Sequence, residues 1–269
     1  MININSYQHI FTLDEPVSYR LKCEVDLQLF PVKFNMYELF KNCLESIMID
    51  KNSVPDINIL KMNYLEFLYN VQFNIKDREK NSKFTIGELT QYKFEHLLNI
   101  CCEADYSRIV KENGKCYCVL AHKIGEDYVT FATINATEFN DIKEIILYQN
   151  ILDYSKIEMS DDVKKIYNDY IKLITQDIHE PTLEQKKNYV IAHTGFSSDF
   201  INNMTYRRFI GIYDCIINEA LYFSNRMAEV SEKYDVKKNA PFFMYKKKDI
   251  LNGFLLSEEK ADKIKQMVE

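Results

Sequence analysis

Tryptophan is absent from this 269-residue chain, and glycine (6) and proline (5) are scarce. Six glycines leave little material for a phosphate-cradling loop, and no P-loop, G-x-G-x-x-G or G-x-S-x-G pattern occurs. An excess of positive charge is also missing. The formal net charge is −6, so the whole chain offers no basic field for nucleic acid. No apolar run approaches the roughly 20 residues that span a bilayer. The opening Met-Ile-Asn-Ile-Asn has no basic flank followed by an apolar core, so no export signal is expected. The seven cysteines are an odd number, and without an export signal they read as reduced thiols in a cytosol. The five histidines form no H-E-x-x-H or similar pair, and no carboxylate pair has a spacing that suggests acid–base work. The chemistry of these residues gives no support to an enzyme, and no cofactor is expected.

What the chain does have is apolar residues (46%), charged residues (28%), 19 tyrosines and 17 phenylalanines. That is enough to bury a core in one large or two modest domains. Few breakers and many Ile, Leu, Lys, Glu and Asn residues favour a helix-rich protein. The longest pattern spans 205–232. Tyr206, Phe209, Ile210, Tyr213, Ile216, Ile217, Ala220, Phe223, Met227 and Val230 recur there at helical spacing. Thr205 stands as its N-cap. Such a helix runs roughly 40 Å and needs cover along its stripe, for which the remaining helices are the obvious candidates.

Taken in order, 7–13 and 17–29 alternate apolar and polar residues. Asp14-Glu15-Pro16 between them reads as the turn of a β-hairpin. Asn35 with Glu38 predicts a capped helix whose apolar side is Met36, Leu39, Phe40, Cys43, Leu44, Ile47 and Met48. Asp56 or Asn58 opens a second helix through Val71, and the polar stretch 75–84 reads as a loop. A third helical segment, 89–102, shows Tyr92, His96, Leu97 and Ile100. Asn113-Gly114 between two alternating runs is the strongest hairpin signal. With a second turn at 125–127 it predicts a three-stranded meander. Thr137 is expected to cap a helix over 138–149 with Phe139, Ile142, Ile145, Ile146 and Tyr148 on one face. Further helices are expected from Ser160, from Thr182 to a Gly195 C-cap, from Ser197 or Ser198, and over 257–267. The expected fold is therefore α+β in three segments. These are an N-terminal hairpin with helices (1–104), a β-meander (105–136) and an α-helical C-terminal region (137–269).

Three groups stand out as possible sites. Cys101, Cys102, Cys116 and Cys118 are the nearest thing to a zinc set, although their spacing is not that of paired knuckles and buried thiols are the plainer reading. The run 183–217 superficially resembles a helix-turn-helix, which would make a regulatory nucleic-acid-binding protein. Phe242, Phe243, Met244 and Tyr245, followed by three lysines, form an aromatic cluster that reads as a partner-binding arm or as a tail folded on its own core.

The run Glu138-Phe-Asn-Asp-Ile-Lys-Glu-Ile-Ile-Leu-Tyr-Gln-Asn150, continuing through Asp153-Tyr154, resembles a helix in tail proteins of contractile-tailed phages of Gram-positive hosts. The likeness extends through Ser160-Asp-Asp-Val-Lys-Lys, Pro181-Thr-Leu-Glu-Gln and Met204-Thr-Tyr-Arg-Arg-Phe209, with a weaker echo in 58–67. The resemblance implies a non-enzymatic component of the baseplate hub, with other tail proteins as partners in a multi-subunit assembly. The alternative is a tail assembly chaperone absent from the finished particle. It also implies a location in the host cytoplasm during assembly and then in the virion or phage-tail-like particle. The group has no active-site residues to carry over.

Overall fold

The computed structural model describes residues 14–51, 56–79, 82–151 and 181–230. It is an α+β protein. A two-stranded antiparallel sheet joins β1 (Val17–Arg20) to β2 (Asp26–Leu29), and a three-stranded antiparallel sheet has the order β3 (Tyr106–Glu112), β4 (Lys115–Ile124), β5 (Asp127–Ile134). The helices are α1 (Tyr37–Leu44), α2 (Ile57–Lys61), α3 (Tyr64–Asn70), α4 (Ile86–Cys102), α5 (Ala136–Asn150), α6 (Leu183–Thr194), α7 (Ser198–Asn203) and α8 (Tyr206–Val230). The chain divides into two compact units, 1–211 and 212–269.

The stretch 17–29, expected as one strand, is itself a hairpin. Both strands lie within 17–29, and the reversal at 21–25 is closed by Leu21 N–H donating to the Val25 carbonyl at 2.9 Å. Glu24 takes the left-handed conformation there, with φ 64°. A non-glycine residue accepts that conformation because a neighbouring element holds the turn. The buried carboxylate of Glu138, on α5, accepts the Lys22 N–H at 2.6 Å. The expected strand over 7–13 lies outside the described residues.

One buried cluster runs from Val17 to Leu147 and draws on both sheets and on α1, α3, α4 and α5. The segments 1–104 and 105–136 and the first helix of 137–269 therefore share a core. Its centre is aromatic. Phe94 lies 5.6 Å from Phe139, Phe73 lies 5.9 Å from Phe94, and Tyr64 stacks on Phe139 at 6.1 Å. Fully burying each such side chain contributes on the order of 2–3 kcal/mol. The meander forms as expected. Asn113 and Gly114 both have positive φ (50° and 77°), as a two-residue type I′ turn requires.

Several helix starts moved. Asn35 caps nothing: 34–36 is a 3-10 turn and α1 begins at Tyr37 without a side-chain cap. The second helix is two short ones, because Asp56 caps α2 and Asn63 then caps α3 in a full capping box with Glu66. On α4 the buried face is Phe94, Leu97, Leu98 and Cys101, whereas Tyr92 is exposed. On α5 the cap is Asn135, whose side chain accepts from Thr137 and Glu138 N–H. Thr182, Ser197 and Gly195 act as the sequence indicates, and Thr205 Oγ1 accepts from Arg208 N–H at 3.2 Å. The expected helices from Ser160 and over 257–267 lie outside the described residues.

Polar residues at the two ends of α5 tie it to the N-terminal hairpin. Glu138 holds the hairpin turn and also closes its own capping box on Asn135 N–H at 2.9 Å. At the other end, Gln149 Nε2 donates to the Leu29 carbonyl at 3.2 Å, and Asn150 Oδ1 accepts Val32 N–H at 2.8 Å. Both of these side chains are buried. Replacing Glu138 with Ala leaves the Lys22 and Asn135 N–H groups without their acceptor. The expected cost is about 2–3 kcal/mol, with amide exchange accelerated first at Lys22. Unchanged exchange there would show that the turn does not depend on this carboxylate.

Candidate functional site

The far end of the β4–β5 hairpin is apolar where a surface hairpin is ordinarily polar. Ile124 is 63% exposed, Tyr128 54% and Val129 48%. The arrangement follows from register. Leu120 pairs with Ala132 but Ala121 pairs with Thr130, so Phe131 is left between them as a bulge in β5. Bulges bend a strand and re-aim its side chains. Here the extra residue turns the Phe131 ring against the His122 imidazole, with centroids 4.2 Å apart and planes 13° from parallel. Tyr128 lies 5.2 Å from Tyr106 of β3. Asp105 fixes the base of this end, because its carboxylate accepts Lys123 N–H at 2.9 Å and lies 3.5 Å from His122 Nδ1. The Lys123 N–H bond, followed by the neighbouring His122, holds the Asp105 carboxyl below its ordinary value.

The base of the same sheet is part of the core through Ile109, Cys118, Leu120 and Ile134. The exposed end is therefore a rigid apolar surface anchored by a buried one. Among the described residues β5 is also an outer strand of its sheet, with unpaired backbone groups along one side. Aromatic anchors and edge backbone are features that protein interfaces use. The meander was legible in the sequence but these residues were not singled out. The consecutive Tyr128-Val129 beside a turn was the available signal.

Cys101, Cys102, Cys116 and Cys118 are all buried in the core, and among the described residues no three His, Cys, Asp or Glu side chains converge to hold a metal ion. Burial pushes the Cys102 thiol up to about 12 and those of Cys101 and Cys118 well above their ordinary value, which leaves them protonated. Cys23 and Cys215 are exposed.

The three helices of the 183–217 run are present, but two of their cations are engaged within the fold. Arg207 donates to the Tyr148 carbonyl at 3.4 Å, and Lys187 donates to Asn202 at 2.8 Å while lying over the Phe34 ring. A cleft of about 370 Å³ lies where Lys33 and Met36 meet Ile100, Glu103 and Thr205. The Thr205 hydroxyl at its edge donates to Asp14. Phe242, Phe243, Met244 and Tyr245 lie outside the described residues.

Among the described residues no helix is long and apolar enough to cross a membrane. Comparison of the chain with protein-family models, curated proteins and solved structures finds no match in any of the three.

Proposed function

We propose that the chain is a non-enzymatic structural protein of a contractile phage tail or phage-tail-like particle, working in the baseplate hub through protein–protein contacts. The observation that carries this reading is the apolar end of the β4–β5 hairpin, where Ile124, Tyr128 and Val129 stand exposed on a sheet whose base is core. Exposed apolar surface on a rigid support favours a partner surface. The resemblance of 138–154 to tail proteins names the kind of partner. On this reading the buried polar ends of α5 are structural clamps, because Glu138, Gln149 and Asn150 hold the hairpin to the helix.

The test is mass spectrometry of purified particles, with an Ile124→Asp/Tyr128→Asp variant produced beside the wild type. A hub component gives peptides of this chain in stoichiometric amount, and the variant, though folded, is incorporated at least about tenfold less. Particles that assemble only when the chain is expressed, yet do not contain it, identify a tail assembly chaperone instead. Normal incorporation of the folded variant would remove the hairpin end as the docking surface.

A further inference from the structure

From Ile212 onward, α8 belongs to the second compact unit, and there its apolar stripe changes character. Tyr206 stacks on Tyr37, and Phe209 is buried beside Phe34 in the first unit. In the second unit Ala220 is exposed, Phe223 is 56% exposed and Met227 is 74% exposed. Tyr213, Ile216, Ala220, Phe223 and Met227 follow one another at alternating spacings of three and four residues. These are the a and d positions of a heptad, the seam by which two helices pair. In the same frame Glu219 and Arg226 both fall at g, flanking the seam, and both are exposed.

We propose that this stripe pairs with the same stripe of a second copy of the chain, antiparallel, with its two-fold axis passing between Ala220 and Phe223. Charge selects the occupant and the direction. In an antiparallel pair, g positions face g positions. Setting Ala220 against Phe223 of the second copy brings Glu219 opposite the second copy's Arg226, and symmetry repeats the pair. In a parallel pair, g faces e of the next heptad, which sets Glu219 against Ser224 and forms no ion pair. Arg226 also donates through Nε to Tyr222 Oη at 3.3 Å.

Side-chain volume selects the same direction. The antiparallel register alternates large against small, with Phe223 over Ala220, and sets Ile216 against Met227. A parallel register stacks Phe223 on Phe223 and leaves Ala220 facing Ala220, so one layer is overfilled and the next is underfilled. The pairing does not depend on the tail assignment, since it rests on α8 alone.

The full-length protein is examined by sedimentation equilibrium over a concentration series, alongside Glu219→Arg, Arg226→Glu and the double variant. Far-UV circular dichroism checks that each remains helical. Wild type is expected to be a dimer at the upper end of the series. Each single reversal turns both symmetric attractions into repulsions and raises the dissociation constant roughly tenfold. The double variant restores the pairs with their signs exchanged and returns close to wild type. Wild type that stays monomeric throughout overturns the proposal. So does a dimer indifferent to the single reversals, or one that the double variant fails to rescue.

Discussion

Gly87→Ala is expected to destabilise the protein by about 2–3 kcal/mol, although alanine is the better helix former by about 1 kcal/mol. Gly87 lies in the first turn of α4, where the helix starts hard against the backbone of 73–75. A β-carbon at this position would meet the Phe73 carbonyl oxygen, with Phe73 C at 2.7 Å and Ile75 O at 2.9 Å. The obstacles are main-chain atoms and cannot rotate away. They are also tied in place, because Gly87 N–H donates to Ile75 O at 3.1 Å and Ile86 N–H donates to Asp77 O at 2.8 Å. The start of α4 must therefore lift off, and α4 contributes Phe94, Leu97, Leu98 and Cys101 to the core. Gly211 is the control. It lies in α8, and a β-carbon there meets nothing within 4 Å, so Gly211→Ala should gain up to about 1 kcal/mol from propensity alone. Thermal melts of the two variants should move in opposite directions. An unchanged or raised melting temperature for Gly87→Ala would contradict the packing described here.

Alkaline conditions are expected to unfold the protein through its thiols. Burial raises the pKa of Cys101, Cys102 and Cys118 above the ordinary thiol value of 9.0. For Cys101, ionisation of the neighbouring Cys102 and Cys43 adds to the cost, and for Cys118 that of Cys102 and Glu95 does. The sign follows from proton binding. Above the ordinary thiol value the unfolded chain loses these protons while the folded chain keeps them, so stability falls as pH rises. The stability these thiols contribute is complete below about pH 9. It declines from there toward the raised folded values, which for Cys102 is about 12. Each thiol costs up to about 1.4 kcal/mol per pH unit in that window, so the three together cost on the order of 4 kcal/mol between pH 8 and 10. Denaturant titrations under reducing conditions at the two pH values measure this directly. In Cys118→Val the loss between pH 8 and 10 should shrink by about 1.4 kcal/mol whatever the stability at pH 8. A loss that is the same in the variant would mean other groups govern the alkaline limb.

Local signals in the sequence were reliable where one residue had no competitor. Asn113-Gly114 placed the β3–β4 turn because few other pairs accept positive φ at both positions. Thr182, Gly195 and Thr205 marked ends of described helices for similar reasons. The signals were weaker where neighbours could substitute for one another: Asn135 caps where Thr137 was expected, and Asp56 and Asn58 were both open where Asp56 is the cap. The first hairpin shows the limit most clearly. Alternation marks 17–29 as a single strand, yet the chain reverses at 21–25, where Glu138, more than a hundred residues away in sequence, accepts Lys22 N–H.

The candidate site divides along the same line. Heptad spacing in α8 and the existence of the meander are local patterns and can be read from residue order. Which part of a stripe is covered is a property of the whole fold. Phe209 and Phe223 occupy equivalent positions in one repeat, but Phe209 is buried and Phe223 is open to solvent. Likewise, alternation alone marks Ile124 and Ile134 as strand residues of the same kind, and only the placement of the helices leaves one at the surface and the other in the core. The sequence by itself determined the α+β class, the meander and the long helix, because hydrogen-bonded periodicity and turn sterics act over a few residues. Tertiary structure alone decided which apolar faces meet and which stand exposed, because burial depends on residues distant in the chain.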